Sequence, residues 1–362
     1  MMRLTGLFIF LLAMQFSDAQ TNKEKAMNDV KQGLYLQQHD KLDEAIKMLE
    51  EARVFDPETA MVSYELAVAY YSKGDYEKAK ILLDSLVTHK DAFGTMYQVL
   101  GNCYDKLGMT ARAVDIYNIG LTKFPNTAEL YLELGTTLLS RKEYSNALVF
   151  YEKGIEINPA FASNYYWAAR IYCISDEAVW GMLYGEIFLI LERDSKRTDE
   201  ISKLLYDTYK KKIRFPRDSS FSVSFSKPAS RNIVDTAHKV KMPFGKSVYE
   251  PTLMLALLSE KKIDLSSLCR VRKYFIESWF KNGNYQRFPN VLFDFQYRVL
   301  KAGHIDAYNH WVLYKGDETA CNDWITANKK KWDAFMKWFT KNQLLLDSNY
   351  KFYRRQYESS SF

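Results

Sequence analysis

Between Ala26 and Phe161 small and large apolar positions recur on a single clock. Alanines stand at Ala45, Ala79, Ala113 and Ala147, 34 residues apart each time, and a second lane of small residues runs through Gly33, Ala67, Gly101, Gly135 and Ala169. Leu66, Leu100 and Leu134 precede that lane, Tyr70, Tyr104 and Leu138 follow it by three, and each unit closes near Pro57, Asp91, Pro125 or Pro159. Proline lacks an amide hydrogen and ends a helix, so each unit closes on a helix stop.

The period and its internal order resemble the tetratricopeptide repeat family over four whole repeats, 26–161, and part of a fifth. The resemblance implies that each repeat is a pair of antiparallel helices, the small residue of the first letting the second approach closely and the alanine of the second seating the next repeat. One pair cannot bury its apolar face but a stack can, so the resemblance implies an α-solenoid whose concave groove is lined by the first helices, at the second, fifth, ninth and twelfth slots of each repeat. Those slots hold Met27, Val30, Leu34 and Gln37, then Met61, Tyr64, Val68 and Tyr71, then Thr95, Gln98, Asn102 and Asp105. The fourth repeat offers Glu129, Leu132, Thr136 and Leu139, and the fifth Ser163, Tyr166, Arg170 and Cys173. Candidate partner-binding residues are therefore Met61, Tyr64, Val68, Tyr71, Gln98, Asn102, Asp105, Leu132, Thr136, Tyr166 and Arg170. Some members of the family grip a C-terminal carboxylate with paired lysine and asparagine side chains; here only Asn102 stands where such an asparagine would, and lysine is missing from the matching slots. A mostly apolar, aromatic groove with a few amides suits an extended or helical peptide. The competing occupant is the chain's own C-terminal half. Leu86 departs from the pattern, filling a slot held elsewhere by Ala52, Gly120 and Gly154.

After the fourth repeat the pattern decays. Residues 162–212 read as a degenerate fifth repeat and a capping helix, with Gly181 and Gly185 inside the repeat's second helix and Ile201, Leu204, Leu205 and Tyr209 on one face of the cap. Over 213–250 the helical period is lost: Phe221, Val223 and Phe225 alternate with serines, and Pro216, Pro228 and Pro243 punctuate the stretch. That predicts an irregular linker with a short strand or hairpin, and Arg214–Pro251 is the best place to divide the chain. Helical stripes return over 251–346, among them Leu265, Leu268, Val271, Phe275, Ile276 and Trp279, and 347–362 reads as a tail. The fold class is mainly all-α: four to five repeat helix pairs, a β-containing linker and an aromatic-rich helical C-terminal domain.

At the start of the chain, Arg3, an apolar run from Leu7 to Met14 and the small residues Ser17 and Ala19 before Gln20 read as a signal peptide over 1–19, cut near Ala19–Gln20. The run is too short for a bilayer anchor, and no later segment suggests a membrane span. The expected location is periplasmic or extracellular. A net charge of +6 with acidic and basic residues interspersed argues for solubility and against a nucleic-acid partner. Cys103, Cys173, Cys269 and Cys321 have no metal-ligand or redox spacing, although Cys269 and Cys321 could pair in an oxidising compartment.

Candidate chemistry is sparse. Asp306 and His310 lie four apart on a predicted helix and could meet as a hydrogen-bonded pair, but no serine or cysteine elbow accompanies them. No phosphate loop, dinucleotide fingerprint, zinc-protease helix or calcium loop occurs, so no cofactor or metal is expected. Tryptophans at 279, 311, 324, 332 and 338 could stack on sugars, yet stripes at helical spacing are ordinarily core. The expectation is an exported, non-enzymatic scaffold for a protein or peptide partner. The alternatives are an envelope hydrolase or glycan-processing enzyme around Asp306 and His310, and a glycan-binding module.

Overall fold

The computed structural model describes residues 21–217, 220–227 and 243–358; the signal segment over 1–19, its cleavage point at Ala19–Gln20 and Pro228 lie outside them. The helices fall where the 34-residue clock puts them. They are α1 over 21–38, α2 (Leu42–Phe55), α3 (Ala60–Lys73), α4 (Tyr76–Leu86), α5 (Gly94–Lys106), α6 (Thr110–Lys123), α7 (Ala128–Ser140), α8 (Tyr144–Ile157), α9 (Ala162–Cys173) and α10 (Ala178–Leu191). The chain forms two compact units, Met1–Thr137 and Leu138–Phe362.

In the first unit the small lane does the work expected of it. Ala45, Ala67 and Ala79 are wholly buried, and a methyl group on Gly101 would lie 2.1 Å from the Tyr117 ring. Glycine at 101 is thus what lets Tyr117 of α6 lie across α5. Gly74 ends α3 in the left-handed conformation (φ 91°), which a residue without a side chain adopts freely. Leu86, the residue out of pattern, is buried as the last residue of α4, and that helix has 11 residues where α2 and α6 have 14.

In the second unit α10 is buried from Ala178 to Ile190, which explains a helix that is apolar all round. Its Gly181 meets backbone: an added methyl would lie 2.5 Å from the Cys173 amide nitrogen and 3.0 Å from the Ala169 carbonyl oxygen of α9. That close approach offsets the roughly 1 kcal/mol that glycine costs inside a helix. The cap α11 (Lys196–Lys212) opens with Ser195 and Thr198 in a reciprocal capping box. The expected strand is present as an antiparallel hairpin, β1 (Ile213–Arg217) with β2 (Ser220–Val223), Ile213 facing Val223. Two strands alone are marginal. Here the chain beyond them is tied down by Glu250 Oε1, which accepts the Phe225 and Ser226 amides at 2.7 and 2.8 Å.

Beyond the hairpin stand α12 (Glu250–Leu257), α13 (Leu265–Lys281), α14 (Asn284–Arg287), α15 (Val291–Lys301), α16 (Ile305–Val312), α17 (Glu318–Ala327), α18 (Lys329–Lys341) and α19 (Arg355–Glu358). The sequence places the division of the chain at Arg214–Pro251, whereas the compact units divide inside α7, between Thr137 and Leu138. The reason is a buried ion pair. Arg272 of α13 forks onto both oxygens of Glu186 of α10, at 2.9 and 2.6 Å, and places its Nε 2.8 Å from Asn309 Oδ1 of α16. Gln296 of α15 and Tyr308 also donate to Glu186, and Tyr209 of α11 meets Arg272 at 3.2 Å. The cap and the C-terminal helices therefore share one core.

The stretch read as a tail is also part of that core. Phe352 and Tyr357 are buried, as are Leu344 and Leu346 just before the stretch; Arg354 donates to Glu152 of α8 at 2.9 Å, and its amide to the Tyr184 hydroxyl at 2.7 Å. Phe352 packs beside the rings of Trp180 and Tyr184 of α10. The last described residues thus dock on the second helices of the fourth and fifth repeats.

Candidate functional site

The first-helix face of the first unit is built by α1, α3, α5 and the start of α7. These helices carry the second, fifth, ninth and twelfth slots of their repeats, as far as the unit extends, and those spacings share one helical stripe. Met61 is 47% exposed; Tyr64, Val68, Tyr71 and Leu132 are half-buried. Tyr64 lies edge-on to Phe93, ring centroids 4.9 Å apart. Burial pushes its hydroxyl up, against a hydrogen bond with Thr95 that pulls it back.

Gln98 and Asn102 are brought together, but by a residue outside the four slots. Both amides donate to Oε1 of Glu133 on α7, at 2.7 and 3.1 Å. The Asn102 Oδ1 accepts from the Tyr117 hydroxyl, so Asn102 is satisfied at both ends. The place where a clamp asparagine would receive a partner's carboxylate thus already holds a carboxylate of this chain. Burial pushes the Glu133 carboxyl up, and the two amides pull part of that shift back. Tyr71 stands beside it, its hydroxyl pushed up to about 12 by burial first and then by the charge of Glu133. Asp105 is exposed and accepts from Thr110 at 2.9 Å. Glu133 occupies the sixth slot of its repeat, as Glu65 does in α3. Reading that slot along with the other four would have found it.

Thr136 is half-buried on the same helix. The two remaining candidates lie in the second unit and are differently placed. Tyr166 is buried and donates to Glu200 of α11 at 2.5 Å, which makes it a packing residue under the cap. Arg170 donates to the Tyr166 hydroxyl at 3.0 Å and lies over the Trp167 ring.

The expected side-chain pairing of Asp306 with His310 is not formed. The His310 Nδ1 lies 2.7 Å from the Asp306 backbone carbonyl, while the Asp306 carboxylate turns to Lys273 at 4.0 Å. An i,i+4 ring reaches the carbonyl of the preceding turn as readily as the side chain above it. His310 is buried, stacked on Trp324 at 4.0 Å, with the Cys269 Sγ 3.5 Å from its Nδ1. Burial lowers the histidine and raises the thiol, so both are held neutral. A sealed thiol of that kind is a packing group. All four cysteines are free and buried, so Cys269 and Cys321 are not joined.

Models of the tetratricopeptide repeat match residues 30–93, 99–127 and 128–161. This part of the chain is a run of tetratricopeptide repeats. Among solved structures, the repeat protein is similar to YrrB, described as a TPR protein with an unusual peptide-binding site: 20% identity, 49% of this chain and 92% of that one, TM-score 0.33. It is similar to TTC0263 of Thermus thermophilus at 18% identity, over 50% of this chain and 98% of that one, TM-score 0.44. PilF of Pseudomonas aeruginosa is 18% identical over 52% of this chain and 85% of that one, TM-score 0.45. No curated protein matches the chain.

Proposed function

We propose that the repeat protein is an exported, non-enzymatic scaffold, and that the first-helix face of its first unit holds a segment of a partner protein in the cell envelope. One observation carries this reading: the exposed Met61 and the partly exposed Tyr64, Val68, Tyr71 and Leu132 form an apolar, aromatic surface beside amides fixed in place by Glu133. Exposed apolar surface of this kind marks an interaction face, and aromatic rings supply contact area at low entropic cost. Export rests on Arg3, the apolar run Leu7–Met14 and the small residues before Gln20. No helix of the described residues is long and apolar enough to cross a membrane. The enzyme reading loses its pair, since the side chains of Asp306 and His310 do not meet and the histidine is buried. A glycan platform needs an open ring; Trp180 and Trp279 are buried, His310 stacks on Trp324, and Trp311 meets the Phe339 ring.

The test is co-purification from the envelope fraction with the full chain carrying an affinity tag, comparing wild type with Tyr71→Ala and Met61→Ala together. Both side chains are open enough that the helices should stay folded, which circular dichroism checks. The proposed face predicts that the main co-purifying protein falls by about tenfold and that the purified chain begins at Gln20. An unchanged partner yield would remove the face from the account, and an intact N-terminus would remove the export.

A further inference from the structure

Beyond α1, which carries Lys23, Lys25 and Lys31, the first helices of the first unit carry an uneven set of charges. Glu65, Asp105, Glu129 and Glu133 lie along α3, α5 and the start of α7, whereas the basic residues of those stretches, Lys73 and Lys106, are each the last residue of their helix. Lys73 is engaged elsewhere, 2.5 Å from Asp43 of α2. Glu133 differs from the other three because it is held. Two amides fix its Oε1, but among the described residues its Oε2 has no hydrogen bond and no basic side chain lies within 4 Å. Lys106 acts on it only from farther away. A carboxylate oriented by neutral donors and left without a cation is preorganised to receive one, and Tyr71, near enough for the charge of Glu133 to act on its hydroxyl, is an aromatic ring of the kind that attracts a cation.

We infer that this face selects partner segments carrying a lysine or arginine, whose cation pairs with the open oxygen of Glu133 against Tyr71, while flanking apolar side chains lie on Met61, Val68 and Leu132. The inference rests on the groove reading above and adds the chemistry of what the groove selects. It is the opposite polarity to a carboxylate clamp. Glu133→Gln separates recognition from packing, because glutamine keeps the acceptor for Gln98 and Asn102 and puts a neutral NH2 donor in place of the open, charged oxygen.

The experiment pans a displayed random nonapeptide library on the full chain, as wild type, Glu133→Gln and Tyr71→Ala, and then measures one enriched peptide by fluorescence anisotropy. Wild type should enrich peptides with a basic residue among apolar ones. Replacing that residue by glutamine should weaken binding about tenfold, and the Glu133→Gln protein should bind both peptides alike. Enrichment that depends on Tyr71 but shows no basic preference overturns this inference and leaves the groove reading standing. No enrichment, or enrichment indifferent to both substitutions, overturns both.

Discussion

Arg272→Met is expected to cost the second unit about 3–5 kcal/mol of stability. The guanidinium is buried with Glu186, and its removal leaves a carboxylate in the core with only Gln296 and Tyr308 to satisfy it. Pairing it with Glu186→Leu should recover part of the loss, since no lone charge remains. Recovery stays incomplete because Gln296, Tyr308 and Asn309 lose partners. Denaturant unfolding followed by tryptophan fluorescence is well suited to the measurement, because all seven tryptophans, from Trp167 to Trp338, lie in that unit. A single variant within about 1 kcal/mol of wild type would show that the ion pair does not join α10 to the C-terminal helices.

Phe352→Ala carries the second large effect, about 3 kcal/mol in the same assay. The ring is fully buried against Trp180, Tyr184 and Tyr357. Its loss opens a cavity that the surrounding rings, themselves packed, cannot close. Truncation after Leu346 should go further, because it also removes Arg354 from Glu152 and Tyr184. A solvated tail would give a change within about 0.5 kcal/mol, the range of ordinary surface substitutions. That outcome would return 347–358 to the reading made from sequence.

The repeats were legible because their information is local and periodic. Ala45, Ala79 and Ala113 sit in identical surroundings 34 residues apart, so the pattern names both the helices and their packing faces. Gly181 and Gly185 were legible as a contact, though not that the first meets the α9 backbone and the second the side chains of Ile201 and Leu205. The partners of Glu186 were not legible: Arg272 lies 86 residues away, and one acidic residue in an apolar helix does not announce a fork of hydrogen bonds. The docking of the last described residues was missed because Phe352 and Tyr357 follow no helical period, and the rings they meet, among them Trp180 and Tyr184, are far away in the chain. For the candidate site, the stripe from Met61 to Tyr71 came from the spacing of the repeat, but Glu133 did not. It lies one position beyond Leu132, and only the fold shows that Gln98 and Asn102 converge on it.

The measurement that tests the central claim most directly places a photo-crosslinking amino acid at position 71, on the first-helix face, and in a second strain at position 54. Val54 is 79% exposed on α2, a second helix, and serves as the reference. Irradiated in the cell, the protein should join a partner through position 71 and not through position 54. Equal crosslinking at both positions, or none at 71, would contradict a partner held on the first-helix face.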